Sequence, residues 1–317
     1  MLDNAVHPAG VEDAEAVMRA ELARGDALAG NVQPVLRHLL SAHDAPLFSD
    51  EVLARVRGMF ADLARNLLTA ANEASPSAGV RDPGGTEHEL LVRALMDRRE
   101  LLLHVHALAI EWLLTDRLQA RAALDPVVSP LVQSLVSGDD EAAQALAMTW
   151  LAAQARWSQA QRRMGLPFTE LPGELLHGAR LALRSVLAGS AQRANAAEAA
   201  IRTRYDEGSS RLGLAARLIM GLGRDAGVAL ALDRAGLGLF LTALSLASGQ
   251  PRDVLALSTH EPQIARFVLA LRAAGLTADE VSRQMLTLQP GIVVPDGLAQ
   301  IGSDLAGAIL ATGRYGG

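Results

Sequence analysis

Phe240-Leu-Thr-Ala243-Leu244-Ser-Leu-Ala247-Ser-Gly249, followed by Asp253-Val254, aligns with Phe267-Val-Leu-Ala270-Leu271-Arg-Ala-Ala274-Gly275, followed by Asp279-Glu-Val281. Phe, Ala, Leu, Ala, Gly, Asp and Val recur in that order, with one residue gained or lost on each side of the turn. Each copy reads as an apolar helix, a glycine turn and a second, shorter helix. The second copy also carries Thr277 with Glu280 three residues later, which is the spacing of a capping box. Phe240 and Phe267 stand 27 residues apart, a shorter period than the ~33 to 47 residues of the commonest helical solenoid units. The reading is a helix-pair repeat over residues 240–288.

Helical periodicity extends outward from this repeat. Val52, Val56, Met59, Leu63 and Leu67 form one stripe of a helix starting near Asp50, with Ser49 as its cap. Leu101, Val105, Leu108 and Trp112 follow i, i+4, i+7, i+11 in a helix from Arg99 to about Ala122. A further helix over 139–164 has Asp139, Asp140 and Glu141 in its first turn and Arg162 and Arg163 in its last, which complements the helix dipole. Its expected buried stripe is Leu146, Trp150, Ala153 and Trp157. Leu28, Val32, Val35 and Leu39 suggest another stripe, provided that Pro34 falls in the first turn after Asn31 as cap. Thr86 and Glu89 read as a second capping box. Helices also resume near Glu174, over 191–205 and over 209–222. The stretch 75–85 (SPSAGVRDPGG) and the stretch 165–173 (GLPFTELPG) are rich in glycine and proline, and read as breaks.

Composition agrees. The chain has 317 residues, half of them hydrophobic but only 3% aromatic, and its apolar mass is the strong helix formers Ala and Leu. No window alternates with period two between turn residues. The expected fold class is all-α, a two-part array of roughly ten to fourteen helices in antiparallel pairs at the usual three to four turns each. The parts are an N-terminal domain over 1–165 and a C-terminal domain over 166–317 that stacks its helix pairs like a solenoid.

The same inventory narrows the chemistry. There is no cysteine, which removes thiolate catalysis, disulfides and cysteine-based metal sites. There is no lysine either, and all 29 basic residues are arginine. Schiff-base chemistry and the phosphate-binding P-loop lysine are therefore absent. The net charge of −6 offers no general attraction to nucleic acid. The N-terminus holds Asp3, Glu12, Asp13 and Glu15 where a signal peptide needs positive charge, so a cytoplasmic location is expected. The longest apolar stretch, Ala235 to Gly249, falls short of the ~20 residues that span a bilayer and reads as a buried core helix.

Four short patterns invite a functional reading. His104 and His106 are two apart, so a helix points them to different faces and they cannot share one ion. Glu174-Leu-Leu-His177 has the spacing of a di-iron ligand pair, yet the second Glu-x-x-His that such a site needs is missing from the sequence. Gly221-Leu-Gly223-Arg-Asp-Ala-Gly227 resembles a dinucleotide loop but follows a helix rather than a strand, so a helix end and turn is the better reading.

The fourth pattern, Gly275-Leu-Thr277-Ala-Asp-Glu-Val281-Ser282-Arg283, resembles the turn and second helix of a DNA-binding helix-turn-helix over 267–288. Opposing that function, Leu271 is large where the motif has a small residue. Asp279 and Glu280 also occupy the end that would meet phosphates, leaving Arg283 and Gln284 to read bases. Residues 251–290 balance four arginines against four acids, without a basic stripe.

The region from about Leu237 to Leu288, through its Phe-x-x-Ala-Leu…Gly…Asp-x-Val pattern, resembles an uncharacterised helical-repeat family of alphaproteobacteria. That resemblance implies stacked helices and carries no substrate, cofactor or partner.

The expected function is a non-enzymatic helical scaffold that binds a protein partner or itself, without cofactor, metal or catalytic residues. The first alternative is a transcriptional regulator using 267–288. The second is an enzyme or small-ligand binder whose polar groups converge from separate helices, with His104 and Glu111, seven apart on one face, the first place to look.

Overall fold

The computed structural model describes residues 8–41, 50–74, 85–295 and 297–313. Among them are fourteen α-helices and no strand, so the all-α class holds. Ser49 and the stretch 75–84 lie outside the described residues, as does the side chain of Leu39.

The chain divides into two compact units, neither of them contiguous in sequence. The first comprises 1–34, 110–139 and 219–317; the second comprises 35–109 and 140–218. The glycine-proline break at 165–173 lies inside the second unit. Three helices, α1 (Pro8–Ser41), α4 (Arg99–Ala122) and α9 (Arg211–Gly221), contribute residues to both.

In the first unit, α10 (Leu232–Ser248) and α12 (Ile264–Ala273) form the centre. Ile264 through Leu271 are buried without interruption, as expected for a helix surrounded by others. Around them lie α5 (Pro130–Val136), α11 (Arg252–Leu257), α13 (Ala278–Leu288) and α14 (Ser303–Thr312). The α12 helix packs against α14 and α10, and α10 packs in turn on α5 and on a 3₁₀ segment, Gly223–Leu230. The rings of Phe240 and Phe267 meet with centroids 6.3 Å apart, so these two phenylalanines share one core. No single described helix is long and apolar enough to cross a membrane, and α10 is a mostly buried core helix.

The two aligned stretches, 240–254 and 267–281, each hold a helix, a glycine turn and the start of a second helix. Gly249 ends α10 with φ 69°, and Gly275 lies between α12 and α13 with φ 95°. Both angles are in the left-handed region that glycine enters without a Cβ penalty. The Thr277–Glu280 capping box is present in full, with the Glu280 amide donating to Thr277 Oγ1 and the Thr277 amide donating to Glu280 Oε2.

In the second unit, α2 (Asp50–Glu73) packs on α3 (Thr86–Met96) and α8 (Ala191–Arg204), while α7 (Gly173–Val186) contacts α3 and α8. All five residues of the α2 stripe are buried. Arg193 on α8 bonds Glu87 on α3 at 2.9 Å and Asn72 on α2 at 2.7 Å, tying three helices together. The α6 helix (Glu141–Arg162) is capped by Asp140, whose carboxylate accepts from the amides of Ala142 and Ala143. Trp150, Ala153 and Trp157 are buried as expected, although Leu146 is only half-buried. The guanidinium of Arg211, at the start of α9 (Arg211–Gly221), stacks 4.0 Å above the ring of Trp157.

Two local expectations fail. The α1 helix runs through Pro34 rather than starting beside it. Its buried stripe is Ala14, Met18, Leu22, Ala29 and Leu36, so Leu28 is exposed. Asn31 donates to the carbonyl of Ala27 within the helix and caps nothing. Continuous burial along one face outweighs the local preference of Pro34 for a helix start. At α3, Gly85 occupies the N-cap and no side chain caps the helix, so Thr86 and Glu89 form no capping box.

Candidate functional site

The helix-turn-helix-like element is where a site takes shape. Val281, Met285 and Leu288 are the buried stripe of α13, spaced i, i+4, i+7. The rest of the helix presents Asp279, Ser282, Arg283 and Leu286 outward. Leu286 breaks the amphipathic pattern, because it stands off the stripe and is 65% exposed. It borders a cleft of about 690 Å³ between α13 and the segment that leads into α10. Leu230, Ala231 and Leu276 contribute apolar surface to that cleft, and Asp233, Arg234, Glu280 and Arg283 contribute charge.

The two residues that could read DNA meet different fates. Arg283 is exposed and has an ion pair at 4.0 Å with Glu280, one helical turn earlier. Gln284 turns inward, and its Oε1 accepts a hydrogen bond of 2.9 Å from the amide of Leu232. That bond satisfies one of the orphan amides at the start of α10, so Gln284 serves the fold. Leu271 is fully buried against the core, as its size demands.

Glu280 lies beside the same cleft. Its carboxyl is held below the ordinary carboxylate value by the hydrogen bond from the Thr277 amide and then by that from the Thr277 hydroxyl.

Glu111, singled out with His104, is committed elsewhere. Both of its oxygens accept from Arg252, at 2.9 and 2.7 Å. Arg252 also donates to Thr242 Oγ1 at 3.1 Å and to the Gly238 carbonyl at 3.3 Å. Burial is the largest single influence on this guanidinium and lowers its pKa, but the Glu111 charge, the hydrogen bonds to Glu111 and the Asp253 charge together raise it above its ordinary value. Glu111 is 1% exposed, and a carboxylate so enclosed by its partner anchors α11 to α4.

The remaining patterns do not converge. His104 and His106 are both buried in α4. Glu174 and His177 are both exposed on α7. Among the described residues no three His, Asp or Glu side chains are grouped as metal ligands. Gly221 ends α9, and Gly223, with φ 54°, opens the 3₁₀ segment, so these glycines form a helix end and turn.

A second cleft of about 600 Å³ lies between α1 and the end of α14, lined by Arg19, Leu22, Asp26, Asn31, Thr312 and Gly313 among others. Its charges are spent on the fold. Asp26 takes three bonds from Arg266, at 2.6, 2.8 and 3.3 Å, and Arg19 donates to Glu15 at 2.8 Å and to Thr312 at 3.0 Å.

Sequence reasoning found α13 and its turn but missed the opposite wall of the cleft, Leu230 to Arg234, which only the folded chain brings alongside. Leu286 carried a readable signal, since an apolar residue out of phase with 281, 285 and 288 has no core to enter. Comparison of the chain with models of known families, with curated proteins and with solved structures gave no match.

Proposed function

We propose that this chain is a cytoplasmic helical scaffold that docks another protein on the cleft beside α13. The observation that carries this reading is Leu286, an aliphatic side chain 65% exposed at the rim of a partly apolar cleft. A surface leucine alone is ordinary, but an exposed aliphatic side chain beside a concave, partly apolar surface offers a partner apolar area to bury. The two glycine-turned helix pairs support the reading further as stacked units, the architecture that the resemblance to the alphaproteobacterial repeat family implies.

DNA binding is the weaker reading of the same element. Asp279 and Glu280 lie in the first turn of α13, where a recognition helix meets phosphates, and Gln284 is engaged by Leu232.

The test is affinity purification from the native host with the full chain and with Leu286→Asp. The full chain is expected to retain a specific protein that Leu286→Asp loses while keeping its helical circular dichroism. Equal recovery by both would remove the cleft from the function.

A further inference from the structure

We propose that the cleft beside α13 is a self-association face, on which a second copy of this chain docks about a two-fold axis and Leu286 of each copy enters the cleft of the other. This deepens the docking reading above, rests on it and names the partner.

The charge of the lining selects such an occupant. Each wall carries one acid and one base, Asp233 with Arg234 on the segment entering α10 and Glu280 with Arg283 on α13. Asp233 and Arg234 are both exposed, and neither side chain has a hydrogen-bond or ion-pair partner among the described residues. Glu280 keeps its negative charge while it accepts from Thr277, and Arg283 has a 4.0 Å ion pair with it. A strongly acidic partner would meet Asp233 and Glu280, and a strongly basic one would meet Arg234 and Arg283. A face with both signs on both walls is complemented by a face of the same kind. A two-fold axis supplies one from the chain itself, because in such a contact any pairing of one residue with another is made twice.

The apolar surface has the same self-complementary form. Leu286 is the protrusion, and Leu230 and Leu276 line the recess beside it, so one surface holds both halves of the contact. Among the described residues the three most exposed large hydrophobic side chains are Val293 at 85%, Leu286 at 65% and Met220 at 62%, and all three belong to the first unit. Met220 lies at the end of α9, just before the 3₁₀ segment that supplies one wall, and Val293 follows the helix that forms the other. Aliphatic exposure concentrated in this way marks a protein contact. Two copies, each with a net charge of −6, repel one another, and a face whose own charges cancel adds least to that repulsion.

Sedimentation velocity of the full chain between about 1 and 200 μM tests the proposal. The unaltered chain is expected to pass from one copy to two across that range. Leu286→Asp should weaken the dimer about a hundredfold, the scale of two leucines returned to water, while keeping its helical circular dichroism. Asp233→Arg makes the lining positive and Arg234→Asp makes it negative. Each of these variants should stay a single copy where the unaltered chain is a dimer, and an equimolar mixture of the two should pair one with the other. Misfolding of either variant could not produce that recovery.

Three results would overturn the proposal: an unaltered chain that remains a single copy at the highest concentration, a dimer that Leu286→Asp leaves intact, or no gain on mixing the two charge variants. If the unaltered chain is a single copy and Leu286→Asp still loses a host protein, the second copy is defeated and the docking reading stands with a different occupant. A single copy whose capture of host proteins is unchanged by Leu286→Asp defeats both.

Discussion

The two glycine-turned helix pairs of the first unit share a backbone device and use it for opposite ends. In the first, α10 turns at Gly249 into α11, whose Val254, Leu255, Ala256 and Leu257 are all buried. In the second, α12 turns at Gly275 into α13, where burial is confined to Val281, Met285 and Leu288. Each second helix carries an arginine. Arg252 at the start of α11 is enclosed by Glu111, Thr242 and Gly238, whereas Arg283 on α13 faces the cleft. One pattern thus makes a core element where its second helix buries an uninterrupted apolar run, and a surface element where that helix is amphipathic. The turn sets direction, and the second helix decides the use.

The largest way to break this contrast lies in the core pair. Glu111→Leu should cost about 3–5 kcal/mol, because it strands a buried guanidinium. The double variant Glu111→Leu with Arg252→Met should recover much of that loss, since a buried ion pair is often no more stable than an apolar replacement. Urea denaturation checks both. A single variant as stable as the unaltered chain would mean that Arg252 finds solvent, and that α11 is less enclosed than its burial indicates.

The turns come next. An alanine Cβ would meet nothing within 4 Å at either Gly249 or Gly275, so a substitution there costs only the strain of a positive φ. Gly249→Ala and Gly275→Ala should each destabilise by about 1–2 kcal/mol, and Gly→Asn by less, since asparagine tolerates that conformation. Similar losses at both sites in urea would support a shared device. A loss at one site alone would separate the two pairs.

Much of this contrast was legible in the chain before folding. The Gly275 turn, the capping Thr277 and the stripe Leu101, Val105, Leu108 and Trp112 are local signals, set by residues within a few turns of one another. What escaped was set from far away. Pro34 reads as a helix start, yet burial of Met18, Leu22, Ala29 and Leu36 carries α1 through it. Thr86 has the spacing of a cap, but the helix takes Gly85 instead. Glu111 and Arg252 lie 141 residues apart, and no periodicity links a carboxylate in α4 to a guanidinium in α11. The cleft is of the same kind, since one wall comes from 227–234 and the other from 274–287.

The smallest expected effect separates the two pairs most finely, through their helix starts. The α11 helix begins after Pro251 with no side-chain cap, whereas α13 has the full Thr277–Glu280 box. Thr277→Ala should cost about 1 kcal/mol, the ordinary worth of a lost cap, and no change at Pro251 can remove a cap from α11. The box also makes α13 sensitive to acid. The Glu280 carboxyl is depressed below its ordinary value near 4.5, chiefly by the Thr277 amide and then by the Thr277 hydroxyl. A group lowered on folding stabilises the fold above its unfolded pKa and loses that contribution as pH falls through its folded value. Glu280→Gln should therefore be less stable than the unaltered chain at neutral pH, and the two should converge as pH drops below 4.5. Amide hydrogen exchange along α13, followed from neutral to acid pH, reads this locally. Exchange that stays pH-independent once intrinsic rates are removed would show that the Thr277 hydroxyl alone holds the helix start.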